Sequence, residues 1–399
     1  MNYSANDYDA VIVGGGPAGT SAAIHLAKRG ARVLLAEQKK FPRAKLCGEF
    51  ISPECLGHFE RLGVAEQMTR AGGARLTETL FYSRSGRSVN VPSAWFGGET
   101  GAGALGLSRA EMDARLMARA REAGATVLEE AQAVGLLLEQ GRVRGVRLKM
   151  NGEPLEVSSS IAIDATGRSR ALVRRVERET KASQGTRVRH SPLVAFKAHL
   201  EDACGAPDHC EIYFYRGGYG GLSRVENNLS NLCFIASARD VRACGNDAGR
   251  VMREVMMKNQ RAAQTLARAR VQSGWLAVAL EGFGRRPLVP APGLLAIGDA
   301  ASFIDPFTGS GMLMALESGE LAAQVIARYL ARLRDDESFI ETAAAYSSLY
   351  RQTFGARLRV CGLMRRAAFV PRLAETLIFA LGASAGARRR LARKTRSQV

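Results

Sequence analysis

The chain has 399 residues and a net charge of +18. This length suits two domains or one large domain with an inserted second, and the 46% of hydrophobic residues is enough to bury a sizeable core. Seven scattered cysteines without CxxC spacing argue against a disulfide framework or a metal site, and they favour a reducing, cytoplasmic compartment. No stretch approaches the roughly 20 apolar residues that span a bilayer, and the polar start MNYSANDYDA lacks a signal-peptide core.

Residues 8–37 predict a strand, a tight turn, a helix and a second strand. The apolar runs Ala10–Val13 and Val33–Ala36 are short enough to be buried strands. Between them lie a GxGxxG sequence and a helical pattern. This order of elements is the one that a dinucleotide site requires.

Each residue of that turn has a predicted role. Gly14 allows the sharp turn, Gly16 lets backbone NH groups approach a pyrophosphate, and Gly19 lets helix and strand pack closely. Pro17 and Ala18 open the helix, whose N-terminus faces the phosphate with a partial positive charge.

The second strand ends on Glu37, followed by Gln38. An acidic side chain at this place can accept hydrogen bonds from the ribose hydroxyls of an adenosine. The structural alternative, a plain buried strand-helix-strand unit, leaves that acid unexplained. A bound nucleotide cofactor is therefore predicted at the N-terminus.

The next loop carries Arg43, Lys45, Cys47 and Glu49. Beside a cofactor site these residues could contact the cofactor or a substrate. Taken alone, the loop favours the alternative of a basic surface segment with one structural cysteine. Glu54–Leu62 then predicts a short helix that ends at a glycine.

Residues 76–92 predict strands of a second sheet, at Leu76–Tyr82 and Ser88–Val91, and a glycine-rich loop follows over 94–106. A capping box then predicts the start of a helix that stops at Gly124.

Ser108 and Glu111 form that capping box, and Arg109 lies in the first turn between them. A basic residue is unfavourable at this end of a helix dipole, so a nearby anion is expected, with an exposed arginine as the alternative.

Short strands are predicted next, at Thr126–Leu128, Ala133–Leu138, Val143–Lys149 and Ile161–Ile163. The last runs into DATGRSR, in which Asp164 and Gly167 form a tight turn at a strand end, where ligands collect. A β-rich pattern over 188–238 predicts an antiparallel sheet distinct from the nucleotide unit, and Val241–Ala267 predicts helix.

A second constellation begins after the apolar strand Leu294–Ile297, which runs into Gly298 and Asp299. This carboxylate could hydrogen-bond a polyol chain. A helix then runs to about Ala331, and its NH groups could face an anion or an electron-rich ring. The residues that lead into this helix are Pro306, Gly309, Gly311 and Met312.

Taken in order, these motifs over about 7–330 resemble the FAD-dependent group that includes para-hydroxybenzoate-hydroxylase-type monooxygenases, flavin-dependent halogenases and geranylgeranyl reductases. The resemblance implies an α/β fold: a Rossmann-like FAD-binding domain with an inserted antiparallel β-sheet substrate domain and a C-terminal helical region. The predicted FAD-binding domain comprises 1–75, 106–184 and 285–333, the substrate domain 76–105 and 185–284, and the helical region with its basic tail 334–399.

The resemblance also implies residue roles. The pyrophosphate of FAD would lie at Gly14–Gly19 and its adenosine ribose at Glu37, with Arg109 beside the pyrophosphate or ribityl region. Asp299 would bind the ribityl chain, and the segment from Pro306 to Met312 would approach the pyrimidine side of the flavin. NADH or NADPH would act as a transient reductant, because no second GxGxxG is present.

The expected substrate is an apolar small molecule, which Cys47, Gly48 and Glu49 would meet over the flavin, with Tyr213 and Tyr219 on the sheet above. PRAKLCGEF resembles a Lys-x-x-Cys-Gly segment of geranylgeranyl reductases. The stretch from Tyr219 lacks the Trp and Pro of their Tyr-x-Trp-x-Phe-Pro sequence, so hydroxylation or epoxidation is slightly preferred over double-bond reduction. The Trp-x-Trp-x-Ile-Pro sequence of tryptophan halogenases is absent, so halogenation is not expected.

The positive charge is concentrated at the C-terminus. Residues 351–399 contain twelve Arg or Lys and one acid, Glu375, which gives 12 − 1 = +11 of the total of +18. Such a tail suits peripheral contact with an anionic membrane, and equally a helical pair with a solvated basic end. Few aromatic residues are interleaved, so no nucleic-acid partner is expected.

Overall fold

The computed structural model describes residues 8–97, 103–180, 192–280, 282–369 and 371–395. Its strands are β1 (Tyr8–Val13), β2 (Val33–Ala36), β3 (Phe50–Ile51), β4 (Ala74–Leu76), β5 (Glu78–Tyr82), β6 (Ser88–Pro92), β7 (Ala104–Gly106), β8 (Thr126–Leu128), β9 (Ala131–Glu139), β10 (Arg142–Met150), β11 (Glu153–Asp164), β12 (Leu193–Glu201), β13 (His209–Tyr215), β14 (Gly218–Arg224), β15 (Ser230–Ser237), β16 (Arg270–Val271), β17 (Leu276–Leu280), β18 (Gly284–Arg285), β19 (Leu294–Ala296) and β20 (Ser302–Phe303). Its α-helices are α1 (Pro17–Ala27), α2 (Glu54–Leu62), α3 (Ala65–Thr69), α4 (Arg109–Glu122), α5 (Ala171–Thr180), α6 (Ala238–Ala243), α7 (Ala248–Glu254), α8 (Gln260–Leu266), α9 (Gly311–Arg328), α10 (Asp336–Ala368), α11 (Pro371–Gly382) and α12 (Ala385–Lys394). The predicted α/β class is confirmed.

A parallel sheet carries the N-terminal glycine turn. Its strands lie in the order β8-β2-β1-β11, and β19 pairs with the last residues of β11 on the other side. All four of these pairings are parallel, so the turns that follow β1, β11 and β19 meet at one edge of the sheet. The first half of β11 continues instead into an antiparallel meander with β10 and β9.

Helices α1 and α9 pack against each other beside this sheet, closely enough that backbone meets backbone. A Cβ added to Gly319 of α9 would lie 2.3 Å from the Ala18 oxygen of α1. Because both helices begin near the same sheet edge, this contact fixes their N-termini relative to one another. The apolar strand β1 is almost completely buried beneath them, as its sequence predicts.

The second sheet has the strand order β16-β12-β15-β14-β13-β5-β6, with β17 also paired to β12. Its pairings are antiparallel, as predicted, except that β5 and β13 run parallel. One face packs on α6, α7 and α8 through Phe196, Tyr213 and Phe234. The opposite face contacts the loop over 45–49 and the segment that precedes α9.

Two predicted elements are interrupted. The helix expected over Val241–Ala267 is three short helices, because Asp247 and Asn259 each accept a hydrogen bond from a backbone NH and so begin a new helix. The strand expected over Leu76–Tyr82 breaks at Thr77. Its first part, β4, joins β3 and β7 in a separate small sheet.

The C-terminal region consists of α10, α11 and α12, which follow α9. Helix α9 ends at Arg328, three residues before the predicted end, and a 3-10 turn follows at Leu330–Arg332. None of the helices in the described ranges has both the length and the apolar character needed to cross a bilayer.

Candidate functional site

Contacts within the turn between β1 and α1 leave room only for glycine at two positions. A Cβ on Gly14, where φ is +113°, would lie 2.3 Å from the Ala165 oxygen, and one on Gly19 would lie 1.9 Å from the Gly14 oxygen. At Gly16 the nearest atom to an added Cβ is Nη2 of Arg109, at 3.6 Å. Packing therefore requires Gly14 and Gly19, whereas Gly16 keeps the turn accessible to a ligand.

Helix α1 begins at Pro17 with no side-chain cap. Gly16 is the N-cap residue, so no side chain satisfies the NH groups of the first turn, including that of Ala18. Free NH groups at the positive end of a helix dipole are the donor set that a pyrophosphate requires. The start of α1 therefore fits the diphosphate of a dinucleotide.

Glu37 lies directly beneath this turn and is 6% exposed. Its carboxylate accepts hydrogen bonds from the NH groups of Gly15 at 2.9 Å and Lys39 at 3.1 Å, and it pairs with Arg43 at 3.3 Å. Gln38 is exposed. Glu37 thus orders the turn, and its contact with a ribose stays a prediction.

Asp113, which was not identified from the sequence, joins Arg43 to Arg109. It is fully buried and accepts hydrogen bonds from Nε and Nη2 of Arg109 at 2.8 and 2.7 Å, and from Arg43 at 3.1 Å. The anion expected near Arg109 is therefore on the same helix, and the alternative of an exposed arginine is wrong. The i, i+4 spacing of Arg109 and Asp113 was the signal that could have revealed this pair.

Asp164 closes the turn after β11. Its carboxylate accepts hydrogen bonds from the NH and hydroxyl of Thr166, at 3.0 and 2.6 Å, and from the NH groups of Leu172 and Val173, both at 3.0 Å. The tight turn predicted here is confirmed. Since these contacts serve the turn and the start of α5, any contribution of Asp164 to a cofactor site is through the shape of the turn.

The end of β19 faces that turn. The NH of Gly298 donates to the Ser318 hydroxyl of α9 at 2.9 Å, and a Cβ on Gly167 would lie 4.0 Å from Cβ of Asp299. Burial raises the pKa of Asp299, although surrounding cations oppose this shift. Those cations are Arg168, Arg109, Lys45 and Arg286. The sheet edge thus brings the predicted residues of three separate turns together.

The segment before α9 forms the predicted turn and helix start. Pro306 begins a 3-10 turn that Asp305 caps, Gly309 follows with a φ of +63°, and α9 begins at Gly311 without a side-chain cap. The side chain of Met312 turns into the core and is 9% exposed. The free NH groups of this first turn are available to an electron-rich group, and their contact with a flavin stays a prediction.

Tyr219 reaches the same segment from the second sheet. Its hydroxyl donates to the Asp305 carboxylate and accepts from the NH of Phe307 at 3.0 Å. Burial, and then the charge of Asp305, raises the pKa of Tyr219 well above its ordinary value. Tyr219 is therefore a neutral phenol that ties the sheet to the start of α9, and its catalytic role stays a prediction.

The loop over 45–49 lies beneath the second sheet, and Glu49 is its most buried residue. Glu49 is fully buried with a φ of +54°, and it accepts hydrogen bonds from the Arg109 NH at 2.8 Å and His199 Nε2 at 2.7 Å, while pairing with Lys197. Burial alone would raise the pKa of Glu49. The hydrogen bond from His199 and the charge of Lys197 outweigh it, so the pKa lies below its ordinary value.

Two other side chains of the sheet hold the backbone of this loop. Asn231 Nδ2 donates to the Cys47 carbonyl at 3.1 Å, and the Ser223 hydroxyl donates to the Gly48 carbonyl at 3.4 Å. A Cβ on Gly48 would meet no atom within 4 Å, and Cys47 is partly exposed. The sheet therefore anchors Cys47, Gly48 and Glu49, while Ala44 and Lys45 stay exposed, so the alternative of a basic surface loop is wrong only for the part that the sheet covers.

Strand alternation explains which residues reach the loop. Lys197 and His199 of β12 point to it, whereas Phe196 and Ala198 pack on the helices behind the sheet. The sequence analysis missed both polar residues. Their period of two in LVAFKAHL was the available signal, because a strand places such residues on one face.

The same alternation corrects the expectation for Tyr213. It lies on the face of β13 that packs against the helices, fully buried, and its hydroxyl donates to Glu211 at 2.9 Å. Phe214, the next residue, lies on the face toward Tyr219. Tyr213 therefore does not lie above the predicted flavin position.

Comparison with known proteins gives one family match, to the model described as FAD binding domain, over residues 7–342. The digeranylgeranylglycerophospholipid reductase of Methanosarcina acetivorans is 29% identical over 358 residues, which are 87% of this chain and 81% of the relative. A flavin-dependent brominase has a TM-score of 0.78 at 21% identity, covering 98% of this chain and 94% of its own. A probable FAD-dependent monooxygenase of Pseudomonas aeruginosa has a TM-score of 0.70 at 18% identity, covering 94% and 100%.

Proposed function

We propose, from the premise that this chain belongs to the FAD binding domain family, that it reduces carbon–carbon double bonds of an isoprenoid or lipid. It is an FAD-dependent oxidoreductase, and NADH or NADPH is the proposed reductant. The structural neighbours have different activities on one fold, so the fold does not choose the reaction. The reductase relative, matched over most of its length, favours reduction over the oxygenation that the sequence alone slightly preferred.

The residues present fit FAD. The uncapped start of α1 would supply donors for the diphosphate, Glu37 would meet the ribose, and Asp299, which lies among cations, would hold the ribityl chain. The uncapped start of α9 would approach the ring. When bound, FAD supplies the hydride transfer of the reaction.

The single observation that carries the reductase proposal is the buried cluster of Glu49, Lys197 and His199 beside Cys47. Reduction of a double bond adds a hydride to one carbon and needs a proton at the other. Lys197 is 3% exposed at its side chain and lies against the Glu49 carboxylate, so an ammonium proton is held in a dry place under the sheet. We propose that this cluster holds the proton that the second carbon requires. After the transfer, a new proton would reach the cluster through His199, whose side chain is 17% exposed.

Oxygenation remains the second candidate, because an aromatic wall suits it equally well. Phe307 lies 5.8 Å from Tyr219, 6.1 Å from Phe214 and 6.3 Å from Phe81 between ring centroids. Such a wall excludes water, which both reactions require.

The deciding experiment uses the FAD-loaded protein under argon. The flavin is bleached with NADPH or NADH, and a geranylgeranyl lipid is then added. Reoxidation of the flavin with formation of the saturated lipid supports reduction. Reoxidation that waits for air and consumes oxygen in proportion to substrate would contradict it and favour oxygenation.

We also propose that the C-terminal helices contact an anionic membrane, which would suit a lipophilic substrate. Leu363 of α10 and Phe379 of α11 are 66% and 68% exposed, on the two helices that precede the basic helix α12. Its basic residues are Arg388, Arg389, Arg390, Arg393 and Lys394. Sedimentation with phosphatidylserine vesicles should be salt-sensitive and should fall after truncation at Gly386. Equal binding to phosphatidylcholine vesicles would contradict this proposal.

A further inference from the structure

The C-terminal helix α10 reaches the segment that precedes α9 through the side chain of Arg365. Nε of Arg365 lies 3.3 Å from Oδ2 of Asp305. Asp305 is 3% exposed, whereas the side chain of Arg365 is 33% exposed, so the pair extends from the surface of the helix to a buried carboxylate. The roles proposed above for the C-terminal helices do not involve this pair.

Asp305 determines the shape of the segment itself. Its carboxylate accepts hydrogen bonds from the Tyr219 hydroxyl and from the NH of Phe307 at 3.2 Å, and its carbonyl accepts from the Thr308 hydroxyl at 2.9 Å. These contacts cap the 3-10 turn Pro306–Thr308, after which the chain enters α9. A change at this carboxylate is therefore passed to the start of α9 within a few residues.

Aromatic rings fix the direction of Arg365. Its guanidinium lies 4.0 Å from the ring centroid of Phe283 and 5.7 Å from that of Phe369. Phe283 in turn stacks on Phe303, with 4.7 Å between the centroids. A guanidinium over an aromatic face is attracted by the ring and keeps its charge, so the rings hold Arg365 beside Asp305 without neutralising it.

The charge of Arg365 bears on the ionisation of Asp305. Burial raises the pKa of Asp305, while the hydrogen bonds from Tyr219 and the Phe307 NH, and then the charge of Arg365, oppose that rise. Arg365 thus favours the carboxylate form. A carboxylate is a stronger acceptor than a carboxylic acid for the two hydrogen bonds that shape the segment.

We infer that Arg365 is a positioning residue for the flavin, which acts through Asp305 on the segment that precedes α9. The NH groups at the start of α9 carry a partial positive charge, which favours the negative charge of reduced flavin. Arg365 keeps these NH groups directed at the ring, because it holds the Asp305 cap in its ionised form. The inference rests on the proposed approach of α9 to the flavin, and it holds for reduction and oxygenation alike.

The test is the midpoint potential of FAD in the full chain, measured anaerobically against a reference dye without NAD(P)H or lipid. Arg365→Met should lower the preference for reduced over oxidised FAD by about fivefold, which is about 20 mV for a two-electron couple. Arg359→Met removes an exposed arginine from the same helix, so it controls for net charge and should leave the potential unchanged. Equal potentials of the two variants would overturn the inference.

A double-mutant cycle tests whether Arg365 acts through Asp305. Asp305→Asn retains an oxygen that can accept from Tyr219 and Phe307, but this side chain carries no charge. In that background Arg365→Met should not change the potential further. A further change of the same size would mean that Arg365 acts at another place, and it would overturn the assignment.

Thermal denaturation separates positioning from stability. Arg365→Lys keeps the positive charge and should restore most of the potential that Arg365→Met loses. A lower thermal midpoint for Arg365→Met with an unchanged potential would mean that the pair is only structural, and would contradict the inference. Because saturation of a geranylgeranyl lipid is measured in a separate assay, failure of the proposed reductase reaction would be seen independently of the potential.

Discussion

The glycine turn and the loop over 45–49 form two halves of the candidate site, and they are held in opposite ways. The turn after β1 is fixed by close backbone contacts, such as the Gly15 NH on Glu37, the Gly14 oxygen against Gly19 and the Ala165 oxygen against Gly14. The loop is fixed by side chains from the second sheet, roughly 150 residues away: Lys197 lies 148 positions from Glu49 and His199 lies 150. Close backbone packing builds the first half, and charge pairing between side chains builds the second.

The difference has an energetic consequence. A backbone contact such as that at Gly19 fails through steric overlap, which depends little on pH or salt. A buried ion pair fails when one partner is lost, because the other charge remains out of water. The two halves should therefore respond differently to substitution and to pH.

The largest effect is expected for Lys197→Met, which leaves the Glu49 carboxylate buried beside an apolar side chain. Breaking such a pair should lower the free energy of unfolding by about 3–5 kcal/mol, measured by urea denaturation of the FAD-loaded protein. Lys149→Met, an exposed lysine on β10, is the control and should change it by less than about 0.5 kcal/mol. If Lys197→Met fails to fold, the double variant with Glu49→Gln should recover part of the loss. A Lys197→Met protein as stable as the control would contradict the charge-pair account.

The glycine turn is tested by Gly19→Ala. The added Cβ would lie 1.9 Å from the Gly14 oxygen, which cannot move without opening the turn. A loss of about 3 kcal/mol is expected, with FAD lost on gel filtration. Gly57→Ala is the matched control: in α2 its Cβ would be 3.7 Å from Arg61, so stability should be equal or up to about 1 kcal/mol higher. Retention of FAD and stability by Gly19→Ala would show that the turn can relax.

Tyr219→Phe tests the contact between the second sheet and the segment that precedes α9. It removes the hydroxyl that joins Asp305 and the Phe307 NH, so a loss of about 1–2 kcal/mol is expected in thermal denaturation. Tyr329→Phe, whose hydroxyl forms no hydrogen bond within the described residues, should have no effect. Equal thermal midpoints for the two variants would show that the Tyr219 hydroxyl does not stabilise the contact between the sheet and this segment.

The smallest effect is a change in the pH dependence of stability. The folded-state pKa of Glu49 lies below its ordinary value of 4.5, so its contribution is complete above that value and is lost as the pH falls through the folded pKa. The free energy of unfolding should therefore decrease more steeply below about pH 4.5 in the native protein than in Glu49→Gln. Parallel curves for the two proteins would contradict the ionised state assigned to Glu49.

Elements that the local sequence encodes could be predicted, whereas contacts between distant segments could not. β2, α2 and β8 were predicted residue for residue, and β1 and β19 to within two residues at either end, because short apolar runs and terminal glycines encode them locally. The Ser108 cap is confirmed by its hydrogen bond from the Glu111 NH at 3.2 Å. Lys197 and His199 could not be matched to Glu49, because no local pattern states which strand will cover which loop. The i, i+4 pair of Arg109 and Asp113 was encoded locally and was overlooked.

Glu49 has a mechanical consequence as well. Its carboxylate is bonded at once to the first residue of α4 and to two side chains of β12, and its carbonyl accepts the Leu107 NH at 3.3 Å. Any movement that lifts β12 away from α4 must break bonds at this one residue. The sheet can therefore open over the Cys47 loop only if the loop moves with it or the charge pair separates. Entry of a ligand between sheet and loop is thus coupled to the position of the loop.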